Sequence, residues 1–286
     1  MEQGTKKRII NAVSIAGVDP SGGAGLLADV KAMSACGAYA CGVVTALTAQ
    51  NIQGVSGIMP VPPAFVEQQL ETLFADVAID SVKIGMLDNA DLIEVVAQAL
   101  EKYRPKFVVL DPVMVAKSGD RLLKEEAILA LKERLLPLVT LVTPNLPEAL
   151  AILGQPDRVV SEADFPAMAA DLWKLMKRRD GWVYLKGGHL GGPESPDMLF
   201  NGYVTVRLEG ERIKTSHDHG TGCTLSSALA ALLPRHDVIE ACRQAKRYLT
   251  GALRYADELE VGHGHGPTHH FWQMSHPKDE GHIGNL

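Results

Sequence analysis

The chain has 286 residues, 46% of them hydrophobic and 22% charged, with a formal net charge of −6. That is long enough for one large α/β domain or two small ones, and the negative balance argues against nucleic acid or an anionic membrane surface as a partner. No apolar run reaches the roughly 18–20 uncharged residues of a spanning helix, and the polar start does not read as a signal peptide, so a cytoplasmic location is expected.

Residues 9–17, IINAVSIAG, read as a buried strand stopped by Gly17. The run Asp19-Pro20-Ser21-Gly22-Gly23 then turns into a helix that ends near Gly37. It is not GxGxxG in register and no GK[ST] follows, so neither the dinucleotide nor the P-loop template fits. A second strand over about 40–48 brings Gln50 to its carboxyl end, where open α/β sheets place their ligands. A helix from Pro63 to about Asp76, a strand over 80–85 and a helix near 90–103 follow. Residues 106–113 make another apolar strand with Asp111 near its end, and 140–145 the next, ending in Asn145 with Glu148 three residues on. A helical region near 161–179 precedes WVYLKGGH, a strand ending in Lys186-Gly187-Gly188.

Apolar strands alternating with helices predict a mainly parallel sheet covered on both faces. Residues 198–215 alternate in polarity, turn at Asn201-Gly202 and Glu209-Gly210, and predict antiparallel strands at one sheet edge. The stretch HGTGCT, 219–224, runs into an apolar helix ended by Pro234, and a last helix covers 237–260. No repeat or Pro/Ser-rich linker interrupts the chain, so one domain is expected, with a flexible polar tail over 273–286. His263, His265, His269 and His270 have no Cys or carboxylate beside them and read as loop rather than as a metal site. The four cysteines, Cys36, Cys41, Cys223 and Cys242, fit reduced thiols better than a disulfide framework.

HGTGCT has the most chemistry in it. Two glycines let the backbone amides of Gly220, Thr221, Gly222 and Cys223 converge at a helix start, where unpaired N–H groups and the dipole favour an anion. The same potential would lower the Cys223 pKa and make it a base or nucleophile. A Gly-capped helix with an inert buried thiol is the alternative, and the stretch alone leaves both open. Gln50, Asp111, Asn145, Glu148 and Lys186 all fall at strand ends or helix starts, so a doubly wound sheet gathers them at one edge. Carboxylates, a lysine and an anion turn are what phosphoryl transfer requires.

SIAGVDPSGGAGLLADVKAMSACGAYACGVVTALTAQN, KIGML, VLDPVMVAKSGD, TPNLPEA, LKGGH, HGTGCTLSSALAA and VGHGHGPTHHF occur in that order between about residues 8 and 272. Together they resemble the hydroxymethylpyrimidine/phosphomethylpyrimidine kinases of thiamine biosynthesis, a branch of the ribokinase-like superfamily. The resemblance implies a ribokinase-like three-layer α/β/α domain over 1–272, with a mostly parallel sheet and a small antiparallel edge, and usually a homodimer. It implies ATP and Mg²⁺ as cofactors and two phosphorylations, of 4-amino-5-hydroxymethyl-2-methylpyrimidine and then of its monophosphate.

By position, Gln50 matches the pyrimidine-binding glutamine, and Asp29, Met86 and Val113 match the pocket lining. Asn145 and Glu148 match an N-x-x-E element that orients Mg²⁺ largely through water, Lys186 a phosphate contact, and Gly220 to Cys223 the anion hole. Lys186, Asn145 and Asp111 are the expected nucleotide-binding residues. Cys223 stands where most ribokinase relatives carry an aspartate base. Ser216-His217-Asp218 departs from the family's usual Asn-Thr before the histidine. A pyridoxal kinase on the same Cys-bearing scaffold is the nearest alternative. Gln50 discriminates, because pyridoxal puts a phenolic oxygen where the pyrimidine has its amine.

Overall fold

Nine runs pair into one sheet in a computed structural model that describes residues 8–114 and 125–277. In chain order they are β1 (Ile10–Val18), β2 (Ala38–Asn51), β3 (Gly54–Pro60), β4 (Ser81–Ile84), β5 (Phe107–Leu110), β6 (Leu141–Val142), β7 (Trp182–Leu185), β8 (Asp197–Phe200) and β9 (Thr205–Leu208). Across the sheet the order is β3-β2-β1-β4-β5-β6-β7-β8-β9. The six strands from β2 to β7 are parallel, whereas β3 at one edge and β8 and β9 at the other are antiparallel. Interior strands covered on both faces need apolar residues at every position. In β4 all four residues are buried, and one of them is Lys83.

The helices are α1 (Gly25–Ala35), α2 (Pro63–Asp76), α3 (Ala90–Tyr103), α4 (Glu125–Ala130), α5 (Leu146–Leu153), α6 (Phe165–Met176), α7 (Thr221–Leu232), α8 (Val238–Arg254) and the short α9 (Trp272–Ser275). They divide into two layers. Val66, Leu92, Leu150 and Leu172 carry α2, α3, α5 and α6 onto one face of the sheet. Met33, Leu229 and Ala245 carry α1, α7 and α8 onto the other. Both layers follow from apolar stripes, and local signals set the ends. Asn89 accepts from the Leu92 amide to start α3, while Pro63 opens α2 at a position where no amide is needed.

The structure corrects four expectations. β2 continues past 48 through Asn51, so Gln50 sits within the last two residues of the strand, opposite Val55, rather than just beyond it. Beyond Leu47, β2 leaves β1 and pairs with β3 alone, which adds an antiparallel edge on the side where none was expected. The last helix ends at Arg254, with a separate turn over Ala256–Glu258, and the helix expected over 161–179 occupies Phe165–Met176.

Several residues after α8 pack back onto it, although residues 262–265 and Met274 are exposed. Trp272 is buried and its Nε1 donates to the Tyr248 carbonyl at 3.1 Å. Tyr248 Oη donates to the His270 carbonyl at 2.7 Å, and the His269 amide donates to Ala252 O at 2.9 Å. His276 stacks on Tyr255 with ring centroids 3.9 Å apart. The rest of the expected flexible tail, 278–286, lies outside the described residues. Trp272 thus clips the chain's return onto α8. Trp272→Ala should lower unfolding free energy by about 3–5 kcal/mol, measured by denaturant titration.

Candidate active site

Two glycine-containing turns from opposite ends of the chain dock against each other. Asp19, at the end of β1, accepts at Oδ1 from the Ser21 amide (2.8 Å) and hydroxyl (2.7 Å), and at Oδ2 from the Ala24 amide (3.0 Å). His219 Nε2 lies 2.7 Å from the same Oδ2. Burial raises the Asp19 carboxyl, but the bonds from His219 and Ser21 outweigh it and hold the group below the usual carboxylate range. Gly220 has φ +77°, and a Cβ there would lie 1.7 Å from the Gly23 carbonyl oxygen. Only glycine satisfies both conditions. The Thr221 amide is directed at Asp218 O (3.4 Å). The anion turn therefore rests on Gly222 and Cys223, whose amides in the first turn of α7 have no acceptor within the helix.

The charged groups expected around that turn are there. Lys186, just past β7, lies 3.0 Å from Asp111 Oδ1 and 3.9 Å from Glu148 Oε2. Asp111, just past β5, also accepts from Thr143 Oγ1 and Ser226 Oγ, each at 3.3 Å. A Cβ on Gly222 would lie 3.3 Å from Lys186 Nζ and 3.4 Å from Asp111 Oδ2, so the turn abuts this ion pair. Burial works against the Lys186 charge, but Asp111 and Glu148 prevail and raise its pKa.

Asn145 and Glu148 form the capping box of α5. Asn145 Oδ1 accepts from the Glu148 amide (2.9 Å), and Glu148 Oε2 accepts from the Asn145 amide (2.8 Å). Burial pushes the Glu148 carboxyl up to about 7, with Lys186 opposing and Asp111 adding to the rise. Two carboxylates and an amide are hard oxygen donors, too few for an all-protein cage. They fit Mg²⁺, which keeps waters and phosphate oxygens in its shell.

On the substrate side, Gln50 Oε1 accepts from Thr48 Oγ1 (3.1 Å), a hydroxyl that also bonds Val18 O (2.9 Å) beside the Asp19 turn. Met86 O accepts from Thr45 Oγ1 at 3.0 Å, and half-buried Val113 donates its amide to Asp111 O at 2.8 Å. Asp29 is buried, and its oxygens accept from Ser14 Oγ (2.5 Å), Lys83 Nζ (2.7 and 2.8 Å) and Ser227 Oγ (2.7 Å). It presents no free oxygen. Residues 115–120, part of one resemblance block, lie outside the described residues.

Cys223 requires a correction. The helix start was expected to lower its pKa. Burial instead raises the thiol to about 11, with Lys83 and the Gly25 amide opposing and Asp29 and Asp111 adding to the rise. Desolvation of the sulfur outweighs the first-turn potential.

Sequence reasoning passed over Asp19, His219 and Lys83 as participants, although a lysine inside a buried strand was a visible anomaly. It also passed over Arg212, which donates to the carbonyls of Gly188 (2.8 Å), Leu190, Gly192 (2.9 Å) and Glu194 (3.1 Å) and so ties down the loop after Lys186. A cavity of about 820 Å³ between β9 and α8, lined by Arg207, Arg243, Lys246 and Trp272 among others, includes none of the expected site residues. No helix among the described residues is long and apolar enough to cross a membrane.

A parallel sheet with helices on both faces, carrying its anion turn and lysine–carboxylate pair at the carboxyl ends of the strands, defines a ribokinase-like phosphotransferase. The family model for phosphomethylpyrimidine kinase matches residues 19–269, and the chain belongs to that family. The chain is 51% identical over 263 residues to the hydroxymethylpyrimidine/phosphomethylpyrimidine kinase of Escherichia coli, covering 92% of this chain and 97% of that one. It is 46% identical to the thiamine biosynthesis bifunctional protein ThiED of Geobacter sulfurreducens, over 94% of this chain and 54% of that protein. Among solved structures, an ADP complex of Bacillus subtilis pyridoxal kinase is similar, with TM-score 0.83 and 34% identity over 92% of this chain and 98% of that one.

The Glu148 charge has a cost that can be measured. Its folded pKa of about 7 exceeds the ordinary 4.5, so the folded state holds a proton that the unfolded state releases between those values. Stability therefore falls as pH rises from about 4.5 to 7 and then levels off. Without Mg²⁺ or nucleotide, Glu148→Gln should be about 3 kcal/mol more stable than wild type at pH 8. Thermal unfolding across pH 4–8 should show that advantage vanishing near pH 4.5.

Proposed function

We propose that this chain uses ATP to phosphorylate the hydroxymethyl group of 4-amino-5-hydroxymethyl-2-methylpyrimidine and then phosphorylates the monophosphate to the diphosphate, in thiamine biosynthesis. One observation carries the reading: Gly222, in the first turn of α7 where the amides have no acceptor within the helix, stands against the Lys186–Asp111 pair. N–H donors, a cation and carboxylates then surround one point, which is the demand of a phosphoryl group in flight.

In the first step the substrate O–H proton passes to the Cys223 sulfur as thiolate. The freed oxygen forms a bond to the γ-phosphorus, the bond to the β,γ-bridging oxygen breaks, and its electron pair leaves with ADP. Lys186 and the α7 amides hold the charge on the transferring oxygens. Glu148 and Asn145 would hold Mg²⁺ largely through water, and the metal supplies neutralisation of phosphate charge when bound. Gln50 accepts from the ring amine and donates to the adjacent ring nitrogen. In the second step the attacking oxygen belongs to a phosphate and is already anionic, so no base is needed.

We extend the proposal to one catalytic domain over 1–272, a cytoplasmic homodimer, and Met86 and Val113 as pocket walls. Leu47, Ile58 and Met59, exposed on the β2–β3 hairpin, offer an apolar edge to a second copy. Phosphorylation of pyridoxal is the second reading, favoured by the similarity to the Bacillus subtilis pyridoxal kinase.

Cys223→Ser should slow the first phosphorylation by about 10²–10⁴-fold and the second by far less, with each step followed separately by ATP consumption. Equal losses in the two steps would refute the base assignment. Lys186→Met should slow both steps by on the order of 10²-fold or more. Comparing kcat/KM for the aminopyrimidine alcohol and pyridoxal in the same assay decides between the two substrates.

A further inference from the structure

Lys83 lies within β4 with no exposed surface, beside a layer that is mostly apolar. Its Nζ bonds both oxygens of Asp29, at 2.8 and 2.7 Å. Asp29 also accepts from Ser14 of β1 and Ser227 of α7, so one carboxylate joins four elements. An ion pair taken fully out of water rarely improves stability over apolar residues of the same volume, which leaves its presence to be explained by something else.

Register supplies the explanation. Gly25 and Asp29 are four residues apart on α1, and Cys223 and Ser227 are four apart on α7, so each pair shares one helix face. The two faces meet rung by rung: Ser227 Oγ bonds Asp29 at 2.7 Å, and one turn nearer the site the Gly25 amide serves the Cys223 sulfur. The Lys83–Asp29 pair therefore lies about one helical turn, roughly 5–6 Å, below the thiol. The charged groups that face Cys223 are Lys83 from β4, Asp29 from α1, Asp111 from the end of β5 and Lys186 from the end of β7. Among those opposing the burial of the thiolate, Lys83 acts most strongly.

We propose that Lys83 is a positioning residue for the first phosphoryl transfer: its buried ammonium, anchored by Asp29, biases the Cys223 sulfur toward thiolate so that it can take the hydroxymethyl proton. Asp29 is the anchor and also the brake, because its negative charge acts on the sulfur in the opposite sense. The inference rests on Cys223 as the base. It assigns the conserving of charge in this layer to reactivity rather than to folding.

The test is the alkylation rate of Cys223 by iodoacetamide at pH 8.5 in the ligand-free protein. Peptide-level mass spectrometry separates Cys223 from half-buried Cys41. Three variants are compared with wild type: Lys83→Met, Asp29→Asn and the double variant. Lys83→Met should react about tenfold more slowly than wild type, and the double variant, in which no buried charge is left unpaired, should react more slowly than Asp29→Asn. Asp29→Asn should react faster. A purely structural pair would shift both single variants in the same direction. The inference is overturned if they do so, or if the double variant matches Asp29→Asn. Should Lys83→Met fail to fold, the other two variants decide alone. In the ATP assay the Lys83 loss should be confined to the first step. Failure of the base assignment itself would show as equal losses in Cys223→Ser and would leave the alkylation rates unaffected, so the two failures are distinguishable.

Discussion

The contact between the Asp19–Ala24 turn and the His219–Cys223 turn is the constraint on which the rest depends. Neither turn is rigid alone, because each contains glycines that cost conformational entropy to order. Docked, they order each other. The Asp19 carboxylate collects four partners, and the Gly220 backbone passes so close to Gly23 that no side chain fits between them. The start of α7 is thereby fixed relative to β1 and α1. That in turn fixes where the sulfur of Cys223 and the amide of Gly222 stand against Lys186.

Charge in this site is held at a cost. Glu148, Asp111, Lys186, Lys83 and Asp29 are all at least largely withdrawn from water, and the elevated pKa values of Glu148 and Cys223 register the strain of that withdrawal. A nucleotide with Mg²⁺ would bring both negative and positive charge to these groups. The capping box illustrates how little extra machinery is involved. The Asn145–Glu148 pair that starts α5 is the same pair proposed to hold Mg²⁺ through water, so on that proposal a common helix start doubles as a ligand set. Read locally it is a cap, and only the neighbouring Lys186 and Asp111 mark it as more.

Much of the scaffold was legible, for local reasons. α2 and α3 fall at 63–76 and 90–103 because Pro63 and Asn89 punctuate the chain there, and β4 to β7 announce themselves as short apolar runs. Gathering Asp111, Asn145, Glu148 and Lys186 at one edge needed only the rule that parallel strands end together. The β2–β3 hairpin was not legible. The end of β2 alternates between half-buried and exposed, β3 is mostly exposed, and no turn dipeptide of the tight-hairpin kind joins them. Roles for Gln50, Met86 and Val113 came from the family resemblance, since nothing in their spacing specifies a pyrimidine. The Cys223 pKa was misjudged because the helix start is a local feature, whereas burial is a sum over α1, β4 and β5. Lys83 was visible as an oddity, but its partner Asp29 lies 54 positions away.

The Asp19–His219 bond spans 200 positions and the Asp29–Ser227 bond spans 198, and this has a consequence in time. A ribosome adding about 5–20 residues per second needs roughly 10–40 seconds to go from one partner to the other. Through most of that interval the emerging polypeptide holds its first glycine turn and Asp29, and from residue 83 onward Lys83 as well, yet lacks the turn that completes them. Catalytic competence thus arrives late in synthesis, after most of the sheet strands have left the tunnel. The thiol itself emerges last among the site residues, after α1, β4 and β5 but before α8.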